Sequence, residues 1–119
     1  MTVFGIVLDC AEPDRLAEFW SAALAYVNVG AAGSYVALVD PEGVQPKLLL
    51  QRVPEAKTVK NRMHLDIRSP DIGEEARRLE QLGARRVGVD CETEMGCSWV
   101  LMADPEGNEF CVCDGGASA

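Results

Sequence analysis

The sequence lacks several features that would fix its location or its partners. None of its apolar runs approaches the roughly 18 residues that a membrane span requires, so we expect no membrane partner. The N-terminus has no basic segment followed by an apolar stretch, and we expect no signal peptide and a cytosolic protein. Lysine and arginine total 11 against 19 acidic residues, a net charge of −8, which argues against nucleic acid as a partner.

Cysteine and histidine usage narrows the chemistry further. The five cysteines are an odd number without C-x-x-C spacing, which indicates reduced thiols. Cys111 and Cys113 lie two residues apart, and neighbours along one strand are poorly placed to form a disulfide. The single histidine, His64, excludes a site of two histidines and one carboxylate for iron within one chain.

What the sequence does contain is one pattern written twice. Leu-Asp-x-x-x-Pro-Asp begins at Leu8 and again at Leu65, and Asp-Pro-Glu-Gly begins at Asp40 and again at Asp104. The two copies keep their order and nearly their spacing, and each Asp-Pro-Glu-Gly is predicted to form a tight turn. The second copy has a few extra residues, which we expect in a loop at 90–96, and in the first copy we expect a loop at Gly30 and Gly33. A repeat of this period predicts two structural units built on one plan.

Each copy predicts a strand, a helix and three further strands, or βαβββ. In the first copy Pro13 opens a helix whose apolar stripe is Leu16, Phe19, Trp20, Ala23 and Leu24. In the second, Asp71 and Glu74 fit a capping box and Gly83 ends the helix. We predict an α+β fold in a single domain, 1–119, with module one at 1–53, a linker at 54–61, module two at 62–114 and a flexible tail at 115–119.

Strand alternation predicts which side chains lie on the open face of each sheet, away from the helix. In module two the first predicted strand, 62–68, places a polar set there: Arg62, His64, Asp66 and Arg68. Cys111 joins this face if its strand is a neighbour. In module one Val7 is equivalent to His64, and the strand at 48–50 is apolar on both faces. We therefore expect an interior that is apolar on one side and polar on the other, as in many small-molecule pockets.

These residues resemble the vicinal oxygen chelate superfamily of glyoxalase and bleomycin-resistance proteins, and more closely its glyoxalase-like branch. The resemblance is carried by three segments: Leu8-Asp9 through the Phe19-Trp20 helix, Met63-His64-Leu65-Asp66, and Trp99 through Asp104-Pro105-Glu106-Gly107-Asn108-Glu109-Phe110. It implies eight strands curved into a cup around one site, and a homodimer.

The resemblance also implies where a metal would bind. Metal enzymes of this superfamily take ligands from the first and last strands of each module, which here are Val7, a residue among 48–50, His64 and Cys111. Valine and leucine offer no lone pair, so His64 is the expected ligand and Cys111 is chemically competent. We therefore expect no metal cofactor; if a divalent ion does bind, His64 holds it.

No residue is assigned a catalytic role, and seven form the candidate ligand pocket: His64, Cys111, Val7, Leu48, Leu50, Arg62 and Trp99. His64 is either a pocket residue or a structural histidine. Cys111 is either a small buried apolar residue or the thiolate of a pair with His64. Asp66 recurs at the position of Asp9, which favours a structural role in holding the following turn.

Two polar candidates at the strand ends have alternative interpretations. Arg62 either grips a ligand carboxylate or is a solvated edge residue, and Glu109 is interpreted as an edge carboxylate.

Three functions are consistent with the predicted fold and pocket. The leading hypothesis is a protein that holds a small, partly apolar molecule without metal, as resistance or sequestration proteins do. The alternative is a lyase, isomerase or dioxygenase that depends on a divalent metal. The third is a domain used mainly for interaction or dimerisation, which no specific residue supports.

Overall fold

The computed structural model describes residues 3–87, 92–94 and 97–114, with 92–94 and 97–98 described by their backbone alone. The chain divides into two compact units, Met1–Lys57 and Thr58–Ala119, and the division falls within the predicted linker 54–61. The predicted tail, 115–119, lies outside the described residues. Neither described helix is long and apolar enough to cross a bilayer.

The first unit is one helix on a four-stranded sheet. Its elements are β1 (Gly5–Cys10), α1 (Pro13–Leu24), β2 (Val27–Ala32), β3 (Tyr35–Val39) and β4 (Lys47–Arg52). The strand order is β1-β4-β3-β2, with β1 parallel to β4 and the other pairs antiparallel.

Helix α1 follows the predicted apolar stripe. Pro13 stands in its first turn, and Leu16, Phe19, Trp20 and Ala23 are buried. The rings of Phe19 and Trp20 meet edge to face, with centroids 5.0 Å apart. Their burial supplies much of the apolar core of this unit, because large aromatic side chains remove the most surface from water.

The second unit repeats this plan. Its elements are β5 (Asp66–Arg68), α2 (Ile72–Leu82), β6 (Arg85–Arg86), β7 (Glu92–Glu94), β8 (Cys97–Ala103) and β9 (Glu109–Cys113). The order β5-β9-β8-β6, with β5 parallel to β9, matches that of the first sheet, and β7 pairs with β8. The predicted α+β class with two βαβββ modules is confirmed.

Capping and turn residues act as predicted. The Asp71 side chain accepts a hydrogen bond from the Glu74 backbone N–H at 3.0 Å, which caps α2. In the two Asp-Pro-Glu-Gly turns, the N–H of Gly43 donates to the Asp40 carbonyl and that of Gly107 to the Asp104 carbonyl, both at 2.9 Å. Each turn thereby closes a hairpin, β3–β4 in one unit and β8–β9 in the other.

Three predicted boundaries are wrong. The first strand of module two, predicted over 62–68, is regular only from Asp66; before it, the Leu65 carbonyl accepts a backbone hydrogen bond from Cys111, and Asn61 is bonded to Glu109 through side chains. The loop predicted at 90–96 contains strand β7. Gly30, predicted in a loop, lies in β2 at a register shift with a φ of 124° that favours glycine.

Candidate functional site

The open face of the second sheet gathers side chains from β5, β8 and β9. In the register, Asp66 lies opposite Cys111 and Trp99 lies opposite Cys113, while the alternate residues Val100 and Val112 are buried. A pocket of about 300 Å³ on this face is lined by five residues: His64, Asp66, Trp99, Cys111 and Cys113. The structure therefore brings together three of the seven predicted pocket residues and adds two.

His64 and Asp66 form the polar end of this pocket. His64 Nδ1 lies 3.2 Å from Asp66 Oδ1, and both side chains are partly exposed. The Cys111 N–H donates to the carbonyl of Leu65 at 2.9 Å, which extends the pairing of β9 past the start of β5 and keeps His64 beside it. A carboxylate in this position orients the imidazole and sets which ring nitrogen carries the proton.

The role expected for Asp66 is corrected by this contact. Its carboxylate lies against His64, while the turn after β5 is held by Ser69 and Asp71: the Ser69 N–H donates to the Cys113 carbonyl at 2.8 Å, and the Asp71 N–H to Ser69 Oγ at 3.2 Å. The repeat with Asp9 pointed to turn formation. The stronger signal was the two-residue spacing from His64, which places both side chains on one strand face.

Cys111 is buried and its sulfur is protonated at neutral pH. Burial, followed by the charges of Asp66, Cys113 and Glu109, raises the pKa of this thiol to about 11, against the opposing effect of Lys60. A protonated thiol is a poor nucleophile, so the pairing with His64 does not activate Cys111 by itself. Cys10, Cys111 and Cys113 form no disulfide, as predicted for them.

Two further candidate residues, Arg62 and Glu109, lie near the edge of this face. Arg62 is exposed and does not line the pocket, which agrees with the solvated alternative. Glu109 is largely buried; its Oε1 accepts a hydrogen bond from the Asn61 N–H at 2.9 Å and lies 3.5 Å from Lys60 Nζ. It is thus an edge carboxylate with structural partners.

In the first unit, two predicted pocket residues belong to the core. Val7 lies opposite Leu49 in the β1–β4 register and is half exposed, whereas Leu48 and Leu50 are 2% and 0% exposed and face the helix. The prediction of Leu48 and Leu50 as open-face residues is therefore wrong, because alternation places Leu49 on the face of Val7. Leu49 also lines a separate cavity of about 560 Å³ with Phe4 and Val44, which Val7 does not reach.

The donor atoms for a metal lie within the second unit. One donor atom each from His64, Asp66 and Cys111 all lie within 4.8 Å of one another. Ligands bound at 2.0–2.3 Å in a tetrahedral site are about 3.3–3.8 Å apart, so the three donor atoms lie within about 1–1.5 Å of the separations that one ion requires. The donors fit a divalent metal, and the sequence-based expectation undercounted them because it omitted Asp66.

The fold and the site define a class of protein: an α+β protein of two similar modules, with a pocket on the open face of a sheet that is polar at one end and apolar elsewhere. The glyoxalase-like domain family matches residues 5–113, and the chain belongs to that family. Its solved structural neighbours are in the glyoxalase, bleomycin resistance and dioxygenase superfamily, also known as vicinal oxygen chelate. No curated protein matches the sequence.

Three solved structures illustrate the shared fold. A glyoxalase/bleomycin resistance protein/dioxygenase from Nocardioides is 15% identical, with a TM-score of 0.74 over 95% of this chain and 82% of the other. A glyoxalase-related enzyme from Fulvimarina pelagi is 18% identical, with a TM-score of 0.70 over 94% and 86%. A hypothetical protein from S. aureus is 13% identical, with a TM-score of 0.73 over 95% and 93%. Similarity at these identities establishes the fold alone.

Proposed function

We propose that this protein binds a small, partly apolar organic molecule on the open face of its second sheet. Its role would be sequestration or resistance, without the four-ligand metal site of superfamily enzymes. The observation that carries this proposal is the composition of the pocket wall. Trp99, Cys111 and Cys113 supply apolar and polarisable surface, and His64 with Asp66 supplies a single polar end. Few placed polar groups in an otherwise apolar site are typical of small-molecule pockets.

The charge of the site favours a neutral or cationic ligand. Asp66 contributes a carboxylate to the pocket, no lysine or arginine among the described residues lines it, and the whole chain carries a net charge of −8. A negative site repels anions and attracts cations through the summed field of the protein. The ligand therefore combines an aromatic or aliphatic body against Trp99 with a hydrogen-bond donor or cation at the His64–Asp66 end.

Three small ligands that share an aromatic ring but differ in charge test this proposal. Benzylamine, benzyl alcohol and benzoate share a shape, and each is titrated into chelator-treated protein while Tm and tryptophan fluorescence are followed. We expect Tm to rise most with the amine and least with benzoate, since ligands of the native state stabilise it by mass action. Trp20 is fully buried, so the fluorescence response is expected to come from Trp99.

Variants locate the binding. Trp99→Ala should abolish the Tm shift, and Asp66→Asn should remove the preference for the amine over benzoate. Val44→Ala, in the separate cavity of the first unit, is the matched control and should leave both effects unchanged. Preference for benzoate, or equal shifts in wild type and Trp99→Ala, would contradict the proposal.

A metal-dependent lyase, isomerase or dioxygenase is the second candidate function. The grouping of His64, Asp66 and Cys111 favours it, while the apolar side chains of Val7 and Leu49 at the remaining family positions oppose it. A bound divalent ion would supply Lewis-acid polarisation of a ligand oxygen. Metal analysis of freshly purified wild-type and His64→Ala protein distinguishes the two candidate functions. One metal ion per chain in wild type and none in His64→Ala would favour the metal-dependent enzyme.

The proposal includes a homodimer in the cytosol. Light scattering on the purified protein measures the oligomeric state, and a concentration-independent monomer mass would contradict the dimer.

A further inference from the structure

We infer that the cavity of about 560 Å³ in the first unit is a second binding site, which takes an aliphatic carboxylate of the fatty-acid type. The start of β1 and the turn between β3 and β4 form it, and Phe4, Val44, Lys47 and Leu49 are among the residues that line it. All of them belong to the first unit, so this site does not depend on the function proposed for the pocket on the second sheet.

The wall of the cavity is apolar and exposed. Val3, Phe4 and Val44 are 82%, 71% and 81% exposed, and all three line the cavity. Single apolar residues on a surface are ordinary, whereas several around one concave site mark a surface that takes an apolar ligand. One aromatic ring fills only part of a cavity of this volume, so a longer alkyl chain removes more of the wall from water and binds more tightly.

The charge at the cavity selects an anionic head group. In the part of the chain that the structure describes, Lys47 is the one charged residue lining the cavity, and its ammonium group has no ion-pair partner there. The side chain of Gln45 adds an amide that can donate a hydrogen bond. A ligand carboxylate beside Lys47 therefore forms an ion pair that the protein itself leaves unmade, while the alkyl chain contacts Phe4 and Val44.

Gly5 keeps space open beside Lys47. It lies opposite Lys47 in the parallel β1–β4 register and lines the cavity. Its φ is not positive, and a Cβ at this position would meet the Lys47 carbonyl oxygen at 3.5 Å and the Lys47 Cβ at 4.0 Å, which are ordinary contacts. Neither the backbone nor the packing therefore requires glycine in this strand, where glycine lowers stability. The missing side chain instead provides room for a ligand.

The turn that forms the other wall is held in place before a ligand binds. The Asp40 carboxylate accepts hydrogen bonds from the N–H groups of Val44 at 3.1 Å and Gln45 at 2.9 Å, and Asp40 itself does not line the cavity. The Tyr26 hydroxyl donates to the Pro46 carbonyl at 2.8 Å. A wall fixed in this way loses little conformational entropy on binding, which favours affinity.

Three ligands that share an octyl chain but differ in charge test the inference. Octanoate, octanol and octylamine are titrated into the full-length wild-type protein and into Trp99→Ala, which lacks the aromatic wall of the second-sheet pocket, while Tm is followed. We expect octanoate to raise Tm most and octylamine least in both proteins. Added salt should weaken octanoate binding more than octanol binding, because it screens the Lys47 ammonium group. A preference for octylamine in Trp99→Ala would overturn the inference.

Variants of the cavity locate the binding. Lys47→Gln should weaken octanoate binding about fivefold and leave octanol binding unchanged. Gly5→Val should abolish the octanoate shift while the Tm of the free protein stays the same or rises, since valine suits a strand better than glycine and fills the cavity. If Gly5→Val does not fold, Val44→Asp places a carboxylate at an exposed wall position and should also abolish octanoate binding.

Gly73→Ala is the matched control for Gly5→Val. Gly73 also has no positive φ and has room for a Cβ, but it lies in α2 of the second unit, so its replacement should change Tm without changing the octanoate shift. Full octanoate binding in Gly5→Val or Val44→Asp, or equal binding in Lys47→Gln and wild type, would overturn the inference. If octanoate fails while the benzylamine series behaves as expected, the proposed function stands and this site fails; the reverse result separates them in the other direction.

Discussion

Asn61 and Glu109 exchange two hydrogen bonds in which each side chain meets the other residue's backbone. The Asn61 N–H donates to Glu109 Oε1 at 2.9 Å, and the Glu109 N–H donates to Asn61 Oδ1 at 3.2 Å. The pair joins the entry of the second module to the first residue of β9. It therefore fixes the segment that delivers His64 to the pocket beside Cys111.

The first prediction concerns this pair. Asn61→Ala removes the acceptor of the Glu109 N–H and the bond from Asn61 Nδ2 to the Met63 carbonyl, and we expect it to cost about 1 kcal/mol of unfolding free energy. Because His64 loses its fixed approach to the pocket, the rise in Tm that benzylamine produces should also be smaller in Asn61→Ala than in wild type. Chemical denaturation and thermal unfolding with benzylamine measure the two effects.

Asn28→Ala is the control for this prediction. Asn28 Oδ1 accepts a hydrogen bond from the Gly30 N–H at 2.9 Å. Asn28→Ala therefore also removes a side-chain acceptor of a backbone N–H, but in the first unit, whereas the pocket residues belong to the second. Equal reduction of the benzylamine-induced Tm shift in Asn28→Ala and Asn61→Ala would show that the Asn61–Glu109 pair does not position His64.

The second prediction separates the two copies of Asp-Pro-Glu-Gly. Asp104 is 1% exposed and its carboxylate accepts hydrogen bonds from the N–H groups of Glu106 and Asn108 and from Asn108 Nδ2. Asp104→Ala leaves these donors without that acceptor inside the protein, and we expect a loss of about 3 kcal/mol. Denaturant unfolding followed by circular dichroism gives the value.

The matched substitution is Asp40→Ala, in the solvent-exposed copy. Backbone hydrogen bonds from Gln45, Glu42 and Val44 hold the pKa of Asp40 below its usual value. A depressed folded-state pKa gives stability that is present above about pH 4 and is lost as the pH falls. Asp40→Ala should therefore lower the free energy of unfolding by less than Asp104→Ala does. It should also reduce the dependence of that free energy on pH below about pH 4. Equal costs for the two variants would refute the difference in burial as the cause.

The third prediction tests the face assignment in β4. Leu50→Ala removes a fully buried side chain and should cost about 2–5 kcal/mol, because a core truncation loses transfer free energy and leaves a cavity. Leu49→Ala, on the face of Val7, should cost less than half as much. Denaturant unfolding of the Leu50→Ala and Leu49→Ala variants measures both losses. A larger loss in Leu49→Ala would mean that the register of β1 with β4 is wrong.

The fourth prediction concerns Cys111 at alkaline pH in chelator-treated protein. Its folded-state pKa of about 11 lies above the ordinary value of 9.0, so the group contributes stability that is present below pH 9 and is lost as the pH rises toward 11. We expect Cys111→Ser to show a shallower decline of unfolding free energy over this interval than wild type. Identical declines would indicate that Cys111 titrates normally.

Alkylation followed by mass spectrometry provides an independent check of the same pKa. Iodoacetamide at pH 8 should modify Cys111 in native protein far more slowly than in denatured protein, since only the thiolate reacts and burial suppresses it. Rapid native modification at Cys111 would point instead to an activated thiol.

Local signals in the sequence predicted much of the fold. Pro13 opens α1, Asp71 caps α2, and both Asp-Pro-Glu-Gly segments form turns, because each of these depends on residues within one turn of the chain. The strand over 62–68 was predicted too long: its ladder with β9 begins at Asp66, and the chain before it is fixed at Asn61 by a bond to Glu109, 48 residues away. No local pattern carries that information.

The sequence by itself determined the doubled βαβββ plan, the family, and the open face that holds His64 and Cys111, because repeats and strand alternation are properties of the chain. Only the tertiary structure decided that Leu49 rather than Leu48 or Leu50 joins Val7, and that Asp66 meets both His64 and Cys111. Those outcomes depend on strand register. A shift of one residue moves every side chain of a strand to the other face, and register is set by pairing with a distant strand.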